Sequence, residues 1–168
     1  FVAEAVERGV KVSLDPNVRP SLVIEPDVYR QRIKRLMTKV DILKLSDEDL
    51  LWLFNDNTDE SSALSELRAT ANAELLILTR GSKGSSIWHN DKWHEAPAYP
   101  VEKLSDSVGA GDTFMASVLV WLTKNENLKR LAILELQEKQ DLQYYAAKAA
   151  SLNCKKQGCN PPWENELL

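Results

Sequence analysis

At 168 residues the chain is long enough to bury its own core, and 43% hydrophobic with 27% charged residues is the balance of an ordinary globular domain. A net charge of −4 gives no electropositive footprint for nucleic acid or an anionic membrane. No apolar run approaches the roughly 20 residues of a membrane span, and no signal-peptide pattern opens the chain. The expectations are no nucleic-acid partner, no membrane and a cytoplasmic location.

In chain order, FVAEAVERGV predicts a helix already under way at Phe1, with Val2, Ala5 and Val6 on one face and Gly9 at its stop. A Phe inside a helix as first residue predicts a piece of a longer protein. VKVSLDP, residues 10–16, alternates like a short strand. Pro20 and Pro26 bracket a loop, and from Asp27 a helix carries Ile33, Leu36, Met37 and Val40 at i, i+3, i+4, i+7. DILKL predicts a second strand, Ser46 begins a helix reaching about Phe54, and NDNTDE is a polar break. Leu64, Leu67 and Ala71 mark another helix.

LLILT, residues 75–79, is the continuous apolar run of a strand buried on both faces. RGSKGSS then turns the chain into a hairpin, SSIWHN and KWHEAP, about Asn90 and Asp91. Residues 113–122 are apolar nearly all round, predicting a buried helix. Leu142, Tyr145, Ala146 and Ala149 line the last long helix, which ends before Gly158. The charges of EKQ and KK read as a solvated helix face, and Trp88, Trp93, Trp121 and Trp163 as packing residues. Alternating helices and short strands predict an α/β class with a mainly parallel sheet.

Chemistry concentrates in DSVGAGDTF, residues 106–114. Gly109 and Gly111 let the backbone approach a ligand closely. A glycine turn entering a buried helix is an anion site, because first-turn N–H groups and the positive end of the helix dipole face whatever docks there. Asp112 stands among those donors. It reads either as a base beside a transferring phosphoryl group or as a helix N-cap, and the residues alone leave both open. A Walker A loop needs Lys and Ser/Thr after its last glycine, where this chain has Asp112 and Thr113. A dinucleotide fingerprint needs a third glycine, which GAGDTF lacks. Ser46 and Asp49 have capping-box spacing. Cys154 and Cys159 are far in sequence from His89 and His94, so no zinc site is expected, and two free thiols are favoured over a disulfide between them. Neither histidine suggests a triad or a metal ligand.

These segments carry a resemblance. DSVGAGDTF resembles the C-terminal signature D-T-x-G-A-G-D-x-F of PfkB, or ribokinase-type, carbohydrate kinases. SLDPNVRP resembles the family's DxNxR segment, KLSDEDL its phosphate- and metal-proximal segment, and LTRGSKGS its nucleotide loop. LNCKKQGCNPP resembles the closing segment of bacterial fructokinases and 2-keto-3-deoxygluconate kinases. The segments stand in family order from residue 12 to residue 162.

The resemblance implies a ribokinase-like, Rossmann-like α/β fold of a mainly parallel sheet flanked by helices. Residues 1–168 would be its C-terminal nucleotide-handling part, with the N-terminal half and lid absent. It implies ATP-dependent transfer of the γ-phosphate, with Mg²⁺, to a sugar hydroxyl, so sugar and ATP are the expected partners. Fructose is the first acceptor, then 2-keto-3-deoxygluconate or ribose. A non-catalytic nucleotide-binding relative is the alternative of another class, and homodimerisation is open. By matching position, Asp112 is the implied base and the amides of Gly109, Ala110 and Gly111 the anion hole. Thr79, Gly81 and Gly84 are implied to line the ATP phosphates and ribose, and Asn153 to close on the adenine. Ser46 and Asp49 fall at an N-x-x-E pair that orders magnesium-bound phosphate through water, although both differ from that pattern. Asp106 and Val108, with the Gly158 loop, match a monovalent-cation site for K⁺. Asn17 and Arg19 fall at the sugar or the transferred phosphate, with a loop salt bridge the other reading of Arg19.

Overall fold

The computed structural model describes residues 1–54, 59–124 and 126–167, and most of the polar break NDNTDE lies outside them. The chain divides into two compact units, residues 1–78 and 79–168.

The first unit runs α1 (Val2–Glu7), β1 (Ser13–Leu14), α2 (Pro26–Met37), β2 (Ile42–Ser46), α3 (Asp47–Leu53), α4 (Glu60–Thr70) and β3 (Leu75–Thr79), whose last residue opens the second unit. The strands lie in the order β1-β2-β3. β1 and β2 pair in parallel, Ser13 opposite Ile42 and Leu14 opposite Leu43. β1 is shorter than its alternation predicts, and the chain meets Pro16 two residues later, which has no N–H for a ladder. Ile42, Leu43 and Leu45 of β2 and Leu75, Leu76, Ile77 and Leu78 of β3 are buried, as runs without polar alternation require. Lys44 is buried among them, its ammonium 2.9 Å from the Asp15 carboxylate.

Pro26 stands in the first turn of α2, where its missing N–H costs nothing. Ile33 and Met37 face the core, while Val40 is buried beyond the helix end. The loop between Pro20 and Pro26 differs from expectation in holding a 3₁₀ turn, Pro20–Leu22. Trp52, which no sequence pattern singled out, lies under the Arg30 guanidinium at 4.3 Å and edge-on to Tyr29.

From Thr79 the second unit leads into the hairpin β4 (Ser85–His89) and β5 (Lys92–Ala96), antiparallel with Trp88 opposite Trp93. Asn90 and Asp91 both have positive φ, 48° and 59°, the demand of a two-residue turn whose twist matches the strands. α5 (Ala110–Lys124) and α6 (Leu136–Cys154) follow. Leu142, Ala146 and Ala149 form the buried face of α6, with Tyr145 half-buried.

Three expectations fail here. α5 is not apolar-buried all round, because Asp112, Ala116 and Val120 form an exposed stripe at i, i+4, i+8. Trp163 is 79% exposed rather than packed. Lys139 of the EKQ tract is 4% exposed, with its ammonium 3.2 Å from His89 Nδ1 and 3.5 Å from the Trp88 carbonyl. Its four-carbon stem lets an apparently solvated charge cross the helix–hairpin contact. Burial holds the Lys139 ammonium below its ordinary pKa, and burial followed by the Lys139 charge pushes His89 down. His89 therefore has a charged partner, and His94 Nε2 lies 3.2 Å from the His89 carbonyl.

Among the described residues no helix is long and apolar enough to cross a membrane.

Candidate functional site

In the second unit the glycine turn becomes helix at a defined residue. Thr113 N–H donates to the Gly109 carbonyl at 2.8 Å, so Gly109 is the N-cap of α5 and Asp112 the third helical residue. The N-cap reading of Asp112 is thereby corrected. Gly109 has φ of +75°, and a Cβ there would stand 2.3 Å from Cys159 Sγ, so conformation and space both demand glycine. Ala110 N–H donates to the Ser107 carbonyl at 3.2 Å, closing the turn. Of the amides expected to form an anion hole, Ala110's is thus committed internally. By helix geometry those of Gly109, Gly111 and Asp112 are the first-turn donors that remain.

Asp106 fastens this turn to the loop after α6. One carboxylate oxygen accepts from Val108 N–H and the other from Gly158 N–H, each at 3.0 Å, and these bonds hold its pKa below the usual carboxylate value. Asn153 is fully buried and works on the same brace. Its Nδ2 donates to the Val108 carbonyl and its Oδ1 accepts from Asn160 N–H, both at 2.8 Å. Both ends of the Asn153 amide hold backbone, unlike the expected adenine contact. Asp106, Val108 and Gly158 are brought together as expected of a cation site. Val108 and Gly158 face Asp106 with N–H groups and the Val108 carbonyl already accepts from Asn153, so the oxygen donors left for a cation are the remaining lone pairs of that carboxylate and that carbonyl.

Beside the turn lies a cleft of about 300 Å³, within the size range of small-molecule sites. Thr79, Gly81 and Gly84 line it with Ala110 and Gly111, so the nucleotide-loop and anion-turn expectations meet in one cavity. Gly84 has φ of +98°, and a Cβ there would fall 2.1 Å from the Ala96 carbonyl oxygen. The remaining wall is largely apolar, with Tyr99, Val101, Leu104 and Phe114. Cys154 also lines it, its thiol pKa pushed up by burial and then by the Asp106 charge. Cys154 and Cys159 are free thiols.

The first unit carries the other expected residues. The Ser46 capping box is formed: Asp49 N–H donates to Ser46 Oγ at 3.0 Å, and Ser46 N–H to the Asp49 carboxylate at 3.4 Å. Asp49 is 6% exposed and also accepts from Val18 N–H at 2.8 Å, so it ties α3 to the segment of Asn17 and Arg19. Arg19 donates to the carbonyls of Asn17 and Val18, at 3.3 and 3.0 Å, rather than to the carboxylate of a loop salt bridge. Asn17 and Arg19 open with Arg32 and Tyr29 on a cleft of about 370 Å³. Among the described residues no group of three or more His, Cys, Asp or Glu is placed to hold a metal ion.

Comparison with known proteins shows the family. The model of the pfkB family carbohydrate kinases matches residues 1–166. The chain belongs to that family. A fructokinase of Rhizobium leguminosarum bv. trifolii is 36% identical over 127 residues, covering 76% of this chain and 38% of that protein. Fructokinase-2 of Zea mays is 35% identical over 121 residues, covering 71% of this chain and 35% of its own length. The chain thus spans well under two thirds of these relatives. Among solved structures, a Vibrio cholerae O395 fructokinase with fructose, ADP and calcium ion bound superposes with a TM-score of 0.79 at 24% identity, over 94% of this chain and 49% of that one. Aminoimidazole riboside kinase from Salmonella enterica, complexed with aminoimidazole riboside and an ATP analog, reaches 0.84 at 21% identity, over 99% and 54%. These likenesses show the ribokinase-like α/β fold.

For a pfkB chain, the apolar wall was the part of the site that sequence reasoning missed. Tyr99, Val101 and Leu104 lie in APAYPVEKL, where two prolines and the absence of any period read as plain loop. An aromatic and two aliphatics in so short a loop were the available signal.

Proposed function

We propose that this chain is the nucleotide-handling, base-bearing part of an ATP-dependent sugar kinase, with fructose the first acceptor. The observation that carries the proposal is the meeting of Thr79, Gly81 and Gly84 with Ala110 and Gly111 around one cleft, at the start of a helix whose third residue is Asp112. Relatives named fructokinase, at 36% and 35% identity, support the acceptor.

The apolar wall suits a nucleobase, and the glycines let phosphate approach backbone without a side chain between. The amides of Gly111 and Asp112, with the α5 dipole, face the charge of the transferring group and need no reorganisation. The Asp112 carboxylate takes the proton of the attacking hydroxyl. Mg²⁺, when bound with the nucleotide, neutralises charge on the phosphate oxygens. In the first unit, the buried Asp49 carboxylate accepts two backbone N–H groups and keeps lone pairs for water. Asp106, Val108 and Gly158 would hold K⁺ and stiffen the anion turn.

The test is coupled ADP release by the natural full-length protein with fructose, ribose and 2-keto-3-deoxygluconate, with Mg²⁺ and with chelator. The expected result is the highest kcat/KM for fructose and no turnover in chelator. ADP release indifferent to every sugar would contradict the proposal and favour the non-catalytic relative.

A further inference from the structure

The inner wall of the second unit's cleft carries a polar pair that the mechanism above does not use. Ser85, the first residue of β4, lines the cleft and is 4% exposed. Gln143 of α6 is completely buried, and its Nε2 donates to Ser85 Oγ at 3.1 Å. Gln143 Oε1 is buried and has no hydrogen-bond partner. An unpaired buried amide oxygen destabilises the fold, and whereas the other buried polar residues of α6, Lys139, Ser151 and Asn153, have partners, Gln143 Oε1 does not. Packing alone would favour an apolar residue there, so the glutamine needs another reason.

The direction of the bond supplies one. A hydroxyl has one proton to donate and two lone pairs to accept with. Gln143 occupies an accepting position of Ser85 Oγ from behind, and the Ser85 proton is left to point elsewhere. The cleft is its outlet. Ser151, another hydroxyl on this cavity, is already committed, because its Oγ donates to the Pro100 carbonyl at 3.0 Å. Thr79, Ser82, Tyr99 and Ser107 also bring hydroxyls to this wall, yet among the described residues none takes the Ser85 proton.

We infer that Ser85, oriented by Gln143, is the donor by which this cleft reads an acceptor atom of the bound nucleoside, a ring nitrogen or a ribose oxygen. The inference rests on the nucleotide reading of the cleft. Ser85 touches the ligand, and Gln143 is a positioning residue.

The test is calorimetric titration of this chain, wild type and variants, with ATP and with inorganic tripolyphosphate, beside thermal melts. Ser85→Ala is expected to weaken ATP roughly 5- to 10-fold, the worth of one neutral hydrogen bond, and to leave tripolyphosphate unchanged. Ser85→Thr, which keeps the hydroxyl, should restore most of that affinity. Gln143→Leu should also weaken ATP while melting at the wild-type temperature or above, because it removes the unpaired oxygen. A structural role would instead lower the melting temperature and move both ligands together. With 2′-deoxy-ATP, loss of the Ser85→Ala penalty assigns the acceptor to the 2′-oxygen, and its persistence to a ring nitrogen or another ribose oxygen. Wild-type ATP affinity in Ser85→Ala, or parallel losses of ATP and tripolyphosphate, overturns the inference while the nucleotide reading stands. A wild-type chain that binds no ATP overturns both.

Discussion

Replacing Asp112 by Asn in the natural full-length protein lowers turnover by at least about 100-fold, the lower range for loss of a general base, and leaves ATP affinity unchanged or tighter. The substitution is informative because of where α5 begins. Gly109, not Asp112, caps the helix, so Asn at the third helical position sacrifices no cap. The charge removed is exposed at the positive end of the dipole, worth about 0.3–1 kcal/mol there. That is too little to unfold the chain. The same charge stands beside donors meant for phosphate, so its loss cannot weaken the nucleotide through repulsion. Steady-state kinetics with an ATP titration make the measurement. Turnover near wild type would reduce Asp112 to a favourable first-turn acid.

A second large effect is expected at Gly84, with Gly81 as its control. Both have positive φ, +98° and +52°, and both line the cleft. They differ in space. A Cβ on Gly84 would stand 2.1 Å from the Ala96 oxygen, 2.8 Å from the Pro97 carbonyl carbon and 2.9 Å from the Ala98 nitrogen. All three are backbone, so the end of β5 must move away, taking the Tyr99 wall with it. A Cβ on Gly81 meets nothing within 4 Å. Gly81→Ala therefore carries only left-handed strain, about 1–2 kcal/mol, while Gly84→Ala belongs with severe changes of about 4 kcal/mol or more. In a chain of this size that separates melting temperatures by about 10 °C, read in thermal melts. Equal shifts for the two variants would contradict the packing described around Gly84.

What the sequence made legible was whatever is specified locally. The hairpin is written in Asn90 and Asp91, which tolerate the left-handed turn. The buried strand is written in LLILT, and the turn into α5 in Gly109 and Gly111 ahead of an apolar helix. The Ser46 capping box needs a spacing of three residues and was visible. What escaped needed a partner far along the chain. Lys139 looks solvated until His89, fifty residues earlier, is placed beside it. Asn153 is a brace only because the Val108 carbonyl and the Asn160 amide come to its two ends. Glycine at 109 follows from its turn, but the occupant of the vacated space, Cys159, does not. Ala110's amide looked free because the Ser107 carbonyl that takes it depends on how tightly the turn closes. Each is a tertiary choice among several chemically sensible ones, which local pattern does not constrain.

The central claim is that ATP docks in the second unit's cleft with its phosphates on the amides that open α5. Amide chemical shifts of this chain, followed by ¹⁵N NMR during titration with Mg·ATP, test it most directly. The account predicts that Gly81, Gly84, Gly111 and Asp112 move together along one saturable curve, and that Asp112→Asn keeps that curve. Saturable binding that leaves these four amides in place, or no saturable shift at all, would contradict it.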